Sequence, residues 1–356
     1  MKTALIIFGV VLILFTVLPM LKKDAWWVRI FDFPRLQITI LLILTFAAYV
    51  ALLWEPTKAE SIFLAVLTLC LVYQCYMMFP YTRLASKQVQ QSRRARKEST
   101  ITLLFANVLQ DNRNAQRLRE IIDQADPDLI LTVETDKWWM DQLKGYEKSH
   151  PQVVQEPLDN TYGMLLYSRL ELIEPEVRFL VEDHVPSIHT RVKLPSGEVI
   201  ALRCLHPPPP FPTVEDSATN RDAELLIVGK EVKNLDEPIV VFGDLNDVAW
   251  SRTNYLFQDI SGLLDPRVGR GFYHTFHAKY PFMRFPLDHY FHSNHFRLID
   301  FRRLGYFGSD HFPVYIKLSL EPDASFEQEE LEADPEQHQE AKEKIVKAQT
   351  EEGSSK

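Results

Sequence analysis

Cysteine is scarce in this chain of 356 residues: Cys70 and Cys75 lie in an apolar segment and Cys204 in mid-domain. None stands in a CxxC or Cys/His spacing, which excludes a disulfide framework and a zinc ribbon and fits a reducing compartment. Charge is missing altogether from three stretches, residues 3–21, 36–54 and 61–79. A net charge that would name a partner is missing too. The total of −9 arises almost wholly after residue 320, where twelve Asp/Glu meet four Lys/Arg, so the rest sums to about −1. Residues 100–320 carry no strong basic stripe, which counts against duplex DNA, since phosphate contacts dominate such binding. They also show no obvious apolar rim for lipid tails, and no internal repeat is visible.

What the first 80 residues do have is length and apolarity. A helix needs ~20 apolar residues to cross a ~30 Å hydrocarbon core, so all three uncharged stretches are expected to span a bilayer. Trp26, Trp27 and Trp54 sit at their flanks, where interfacial aromatics belong. The first stretch is followed by Leu21-Lys22-Lys23 rather than a small-residue cleavage site, so it reads as an uncleaved span. Lys22, Lys23, Arg29 and Arg35 lie between spans one and two, and Arg83, Lys87, Arg93, Arg94, Arg96 and Lys97 follow span three. Basic loops favour the cytoplasm, which predicts an outside N-terminus, three spans in the inner membrane and a cytoplasmic soluble domain. Residues 81–99 read as a basic juxtamembrane linker able to hold that domain well off the bilayer. Its charges are those of a stop-transfer flank rather than a nucleic-acid or lipid patch. Residues 321–356 are acidic with few large apolar side chains, and are expected to be disordered or a loose solvated helix.

From residue 99 the character changes. STITLLFANV reads as a buried strand, and residues 112–125 place Leu118, Ile121, Ile122 and Ala125 on one helical face with Asn112 as N-cap. LILTVE is a second strand, and TDKWWMDQLKGY a second helix capped by Thr135. TYGMLLYSR, EVRFLVED, SIHTRVKL and EVIALRCLH follow as strands. A helix over 219–234, the strand PIVVFGD, a helix over 253–264 and the strands FPLDHYFHS, FRLIDFRRL and DHFPVYIKL complete the domain. This alternation over residues 100–320 predicts an α/β sandwich, two packed β-sheets flanked by helices.

Polar residues recur at the strand ends: Asn107, Glu134, His206, Asp244, Asn246, Asp288 and the run Ser309-Asp310-His311. Loops beyond strand ends are where layered α/β folds bind ligands. Carboxylate, amide and imidazole together suit a hard divalent cation with acid and base groups, and Glu134 and Asp310 are ligand types that Mg2+ takes. A Ser309/Asp310/His311 catalytic triad is excluded, because neighbours on a strand point to opposite faces. His274, His277, His289, His292 and His295 do not make a zinc site, since a strand spacing of three also alternates faces and no Cys assists.

LLFANV, LTVE, LHPPPP, VVFGDLND, PLDHYF and GSDHFPV, in that order, resemble the endonuclease/exonuclease/phosphatase superfamily. That superfamily includes deoxyribonuclease I, abasic endonucleases, sphingomyelinases and inositol polyphosphate phosphatases. The resemblance implies a four-layer sandwich and an Mg2+-dependent phosphoesterase, with Mn2+ as substitute. It implies that Asn107, Glu134 and Asp310 serve the metal, with Glu134 the principal ligand. Asp244 would orient or deprotonate the attacking water, and Asn246 and His311 would contact the phosphate. Asp288 would fix the tautomer of His311. His206 matches a second histidine of the deoxyribonuclease and phosphatase branches and argues against abasic-site repair. The LHPPPP run is similar to bacterial members. Tyr162 and Arg221 are further candidates for the phosphate, while Asp247 reads as a helix cap or neighbouring acid. The expectation is a membrane-anchored phosphodiesterase acting on nucleic acid, with a phospholipid or inositol phosphate as the alternative substrate. A catalytically dead scaffold would show a lost site residue, and none is lost.

Overall fold

The computed structural model describes residues 1–21, 23–52, 56–210 and 217–355. Lys22 and Trp54, expected at the flanks of spans, lie outside the described residues. Helix α1 (Lys2–Val17), the short α2 (Trp26–Arg29), α3 (Arg35–Ala51) and α4 (Lys58–Met78) make up the apolar part, with α1, α3 and α4 packed side by side. Two helical segments, Lys2–Met20 and Lys58–Tyr81, are long and apolar enough to cross a membrane. The segment Arg35–Ala51 passes that test only together with Trp26–Asp32, from which it is bent by 70°. A capping box of Thr57 and Glu60 starts α4, satisfying backbone N–H groups that a helix end leaves open. At the same end Lys2 Nζ lies 3.2 Å from Glu60. Segments 24–37 and 78–81 therefore share the opposite end, where the soluble domain begins.

That domain is a sandwich. In chain order it contains β1 (Thr100–Asn107), α5 (Ala115–Ala125), β2 (Leu129–Val133), α6 (Lys137–Leu143), β3 (Gln152–Glu156) and β4 (Met164–Ser168). Next come β5 (Glu171–Phe179), β6 (Pro186–Lys193), β7 (Val199–Leu205), α7 (Thr219–Lys233), β8 (Ile239–Asp244) and α8 (Arg252–Ser261). It ends with β9 (Asp288–His292), β10 (Phe296–Arg303), β11 (Val314–Leu320), α9 (Ala324–Glu327) and α10 (Pro335–Ser355). One sheet has the order β10-β11-β1-β2-β4-β3 and the other β5-β6-β7-β8-β9. Alternate residues decide the layers. Leu103, Phe105, Leu131 and Val133 meet Leu202, Cys204, Val240 and Phe242 between the sheets. Leu104, Ala106 and Ile130 face α5 and α6, and Ala201, Leu205 and Val241 face α7 and α8. The four-layer arrangement is the one expected. Asn114 and Asp136, not Asn112 and Thr135, cap α5 and α6. The polar edge strand QVVQE (β3) was not anticipated, because an edge strand buries too little to show a clean apolar alternation.

Two expectations fail on packing. Residues 81–99 do not form a free tether: Val89 is buried in the core between the sheets, Ser92 N–H donates to the Leu298 carbonyl at 2.8 Å, and Gly269 N–H donates to Pro80. Nor is the acidic tail disordered. Helix α10 lies on α7 and α8, burying Ala341 and Ala348, while Lys344 between them donates to Asp222 at 2.8 Å and to Asp24 at 2.5 Å. Small side chains seven residues apart share a helical face and permit close approach, so two alanines and the half-buried Ile345 suffice to dock the tail.

Burial alone would raise the Asp222 carboxyl, but Lys344, Arg221 and Arg29 hold it well below the usual carboxylate range. A carboxyl depressed in the folded state adds stability above its unfolded value and loses it as pH falls. The melting temperature in detergent is therefore expected to drop once the pH falls below about 4. Lys344→Met should destabilise by about 3 kcal/mol, the lower end for breaking a buried pair because Arg221 remains, and should flatten the acid slope. An unchanged melting curve would mean that α10 does not dock this way in solution.

Candidate active site

β1 runs parallel to β2, and β7 to β8, so within each sheet two carboxy-terminal strand ends lie side by side. The two pairs meet at one end of the sandwich. There the Asn107 side-chain amide donates to Glu134 Oε1 at 2.7 Å and, across to the other sheet, to Asp244 Oδ2 at 3.0 Å. β9 runs antiparallel to β8 and begins at this end, with Asp288 in register opposite Asp244. β11, antiparallel to β1, brings Asp310 and His311 to the same place just before it starts. His311 Nδ1 lies 3.1 Å from both oxygens of Asp288, and Nε2 lies 3.5 Å from Asp244 Oδ2.

The backbone is specialised here. Gly243 has φ 148°, and a Cβ on it would fall 1.9 Å from the Leu205 carbonyl oxygen, so only glycine lets β8 end this close to β7. Glu134 and Asn246 hold φ values of 58° and 51°. Such values in residues with a Cβ cost about 1 kcal/mol or more and recur at functional positions. Asn246 N–H donates to Asp244 Oδ1 at 2.9 Å and its amide donates to the Pro207 carbonyl, which anchors the proline loop following His206.

The two histidines are driven apart. Burial pulls His206 down to about 4, so it is a neutral imidazole, and its Nδ1 has no hydrogen-bond partner among the described residues. Burial would lower His311 as well, but Asp288 and Asp244 on either side raise it to about 10. Desolvation raises Glu134 to about 7 and Asp244 in the same direction, the latter against the pull of His311. One protonated and one neutral imidazole beside proton-accepting carboxylates make an acid–base set.

Among the described residues, Asp244, Asp288 and His311 form the acid/imidazole group tight enough to hold a metal, with ligand atoms within 4.8 Å. An imidazolium donating towards two carboxylates has no lone pair to give, however. The better seat is at Glu134. Its carboxylate accepts from the Asn107 amide and the Gln110 N–H, both neutral, and no Lys or Arg among the described residues pairs with it. Asp310 and Asp244 add negative charge beside it. Hard oxygen donors in charge excess over His311 fit a divalent cation.

Asn107, Glu134, His206, Asp244, Asn246, Asp288, Asp310 and His311 are thus gathered as expected from their strand ends. Tyr162 joins them, its ring 5.7 Å from His206; together with Glu134, His206 and Asn246 it lines a cleft of about 230 Å³. Arg221 does not face that cleft. Its guanidinium is buried on Asp222 at 2.8 Å and Asp247 at 3.2 Å and donates to the Asn246 carbonyl at 2.9 Å, so it holds the loop rather than a phosphate. Asp247 accepts from Ser251, the cap of α8. Ser309 donates to the Asn107 carbonyl and accepts from His311 N–H, a purely structural bridge. His289 is buried between Arg267 and the Asp247 carbonyl, away from any zinc set. Sequence reasoning missed Phe276, whose ring packs 4.9 Å from His311. The signal was present: residues 266–287 contain no acid, and 272–285 hold six aromatics.

Residues 104–311 match the family model "Endonuclease/Exonuclease/phosphatase family", more than half of the chain, and the protein belongs to that family. The family is one of phosphoester hydrolases. No curated protein matches the sequence. Among solved structures, a humanized D. rerio TDP2 is 16% identical with a TM-score of 0.53, covering 62% of this chain and 99% of its own. An endonuclease/exonuclease/phosphatase from Bacteroides vulgatus is 17% identical (TM-score 0.52), covering 63% and 100%. The human Nocturnin catalytic domain with bound sulfate is 15% identical (TM-score 0.51), covering 63% and 96%. These likenesses establish the sandwich fold.

Gly243→Ala is expected to destabilise the protein by about 3 kcal/mol or more, because both the φ and the Leu205 contact oppose a methyl group. Denaturant unfolding in detergent measures it, and a loss below 1 kcal/mol would rule out the close β7–β8 approach.

Proposed function

We propose that this protein is a membrane-anchored, divalent-metal-dependent phosphoesterase, with Mg2+ the natural ion and Mn2+ its substitute. The observation that carries the reading is the Asn107 amide, which ties Glu134 to Asp244 across the two sheets. Glu134, with Asn107 and Asp310 beside it, would hold the metal, which when bound neutralises phosphate charge and acidifies water. Asp244 takes the proton of the attacking water, and its raised affinity for a proton suits that task. A new phosphorus–oxygen bond forms as the bond to the leaving oxygen breaks, and that oxygen takes a proton from solvent. The His311 imidazolium, oriented by Asp288, and the Asn246 amide donate to the phosphate oxygens where charge builds. His206, neutral and with an unpartnered Nδ1, offers a further contact at the cleft. The basic residues of segments 22–35 and 83–97 favour three spans and a cytoplasmic domain.

Nucleic acid, the substrate expected from the sequence, is one reading, and a phospholipid or inositol phosphate is the other. A D. rerio TDP2 complexed with single-strand DNA product is 19% identical (TM-score 0.50), which supports the fold and leaves the substrate to experiment.

In detergent with Mg2+ or Mn2+, wild type is expected to hydrolyse bis(p-nitrophenyl) phosphate, and EDTA to abolish turnover reversibly. Asp244→Asn should lower kcat by about 10²–10⁴-fold, the usual contribution of a positioned base. Wild type that neither turns over nor binds metal by calorimetry would refute the enzyme reading in favour of an inactive scaffold.

A further inference from the structure

Three loops that adjoin site residues rest on the end of the helical bundle. After His206, the chain returns at Ser217, which pairs with Ala25, and Ala218 N–H donates to the Asp24 carbonyl at 2.8 Å. After Asn246, the Trp250 indole donates to the Asp32 carbonyl at 2.7 Å, and the Tyr81 hydroxyl donates to Ala249 at 2.6 Å. Before Asp288, the loop 275–286 carries Phe276 against His311. Phe276 stacks on Phe285, which meets Phe33 edge-on with ring centroids 5.8 Å apart. An aromatic chain of three rings thus joins the turn between α2 and α3 to His311.

Contrary to the expectation of no apolar rim, the tip of that third loop is apolar and bare, because neighbours in the fold leave these side chains uncovered. Tyr280 is 61% exposed, Phe282 87% and Met283 53%. Lys279 flanks the tip as an exposed base and no acidic residue adjoins it in sequence, while Arg284 turns back over the Phe312 ring and donates to the Ala278 carbonyl. Aromatic and apolar side chains bordered by basic ones are what the headgroup boundary of an anionic bilayer accepts. The depth is set by a hydrogen bond: Gln37, in the first turn of α3, donates to the Phe282 carbonyl at 2.8 Å. Ile40, Leu41, Ile43 and Leu44 are the exposed apolar residues further along the same helix. Ile40 is three residues on, about 4.5 Å at 1.5 Å per residue, so Phe282 lies within about one turn of the surface that α3 turns to lipid.

We propose that the Tyr280–Met283 tip inserts into the headgroup layer of the membrane that anchors the protein, and that the substrate is a phosphoester of a bilayer amphiphile taken in the membrane plane. This rests on the phosphoesterase reading. At about 230 Å³ the cleft is smaller than the ~300–1,000 Å³ of pockets that enclose a whole ligand, so it takes the phosphate and leaves the rest of the molecule outside. With the loops adjoining the site seated on the bundle end, a bilayer around that bundle would lie beside the cleft. Aromatic and basic side chains also serve single-stranded nucleic acid. A tip sunk at the depth set by Gln37 is not free to stack on bases, and this decides for the amphiphile.

The full chain in phosphatidylcholine/phosphatidylglycerol/cardiolipin vesicles provides the test. A fluorophore on Phe282→Cys in a Cys75→Ser background should be quenched by shallow doxyl lipids. Phosphorus NMR should show wild type releasing lipid phosphoesters, and Phe282→Ser/Met283→Ser, altered only at exposed positions, should slow this by about tenfold. The same variant should hydrolyse bis(p-nitrophenyl) phosphate within about twofold of wild type, since the tip is outside the cleft. An unquenched fluorophore overturns the inference. So does wild type that hydrolyses bis(p-nitrophenyl) phosphate and cuts single-stranded DNA while leaving every lipid intact. Wild type inert even towards bis(p-nitrophenyl) phosphate brings down the phosphoesterase reading and the lipid substrate with it, whereas the quenching result judges insertion on its own.

Discussion

A buried run of alternating charges ties the molecule together. Lys344 of α10 reaches Asp222, Asp222 pairs with Arg221, and Arg221 pairs with Asp247. Arg29 lies 3.9 Å from Asp247 and 3.4 Å from Asp32, and Asp32 pairs with Arg35, which donates on to Gln74 in the bundle. The four cations Lys344, Arg221, Arg29 and Arg35 come from the tail, from α7 and from residues 29–35 at the end of the helical bundle. Four acids, Asp24, Asp222, Asp247 and Asp32, match them. Buried ion pairs add little net stability over apolar packing, but removing one partner strands the other charge. The set therefore acts as a registry device: bundle, catalytic domain and tail fit in the one arrangement that leaves no buried charge alone.

The site depends on that arrangement. Arg221 is held by Asp222 and Asp247 and in turn holds the Asn246 carbonyl, so the strained turn at Asn246 is clamped from behind. The same turn carries Asp244, whose neighbours across the sheets are Asn107 and His311. Here two imidazoles a short distance apart differ widely in proton affinity. His311 has carboxylates on both sides, whereas burial dominates at His206 and outweighs the upward pull of Asp244. Because the loops of the site also rest on the bundle end, catalytic geometry and the seating of the domain on the helical bundle are set by one body of contacts.

Much of the site was legible because strand-end polar residues announce themselves. Asp244 and Asn246 interrupt an apolar run, Glu134 follows another, and His311 opens a third. The positions of Arg221 and of the tail were not legible. An arginine at the head of a helix looks the same whether it faces a phosphate or two buried carboxylates, and Asp247 lies 26 residues from it in the chain. Likewise, α10 reads as solvated because its docked face is two alanines and the half-buried Ile345, whose docking depends on the shape of α7 and α8.

The sequence by itself determined the apolar helices, the alternation of strands and helices, and the identity of the chemically able side chains, since periodicity and residue type are local properties. The tertiary structure alone decided which of those side chains share a charge environment, that residues 81–99 are pinned to the domain by Val89 and backbone bonds rather than being a tether, and that loops adjoining the site rest on the helical bundle. Those depend on distances between segments up to 320 residues apart, as between Asp24 and Lys344, and proximity of that kind is set by packing.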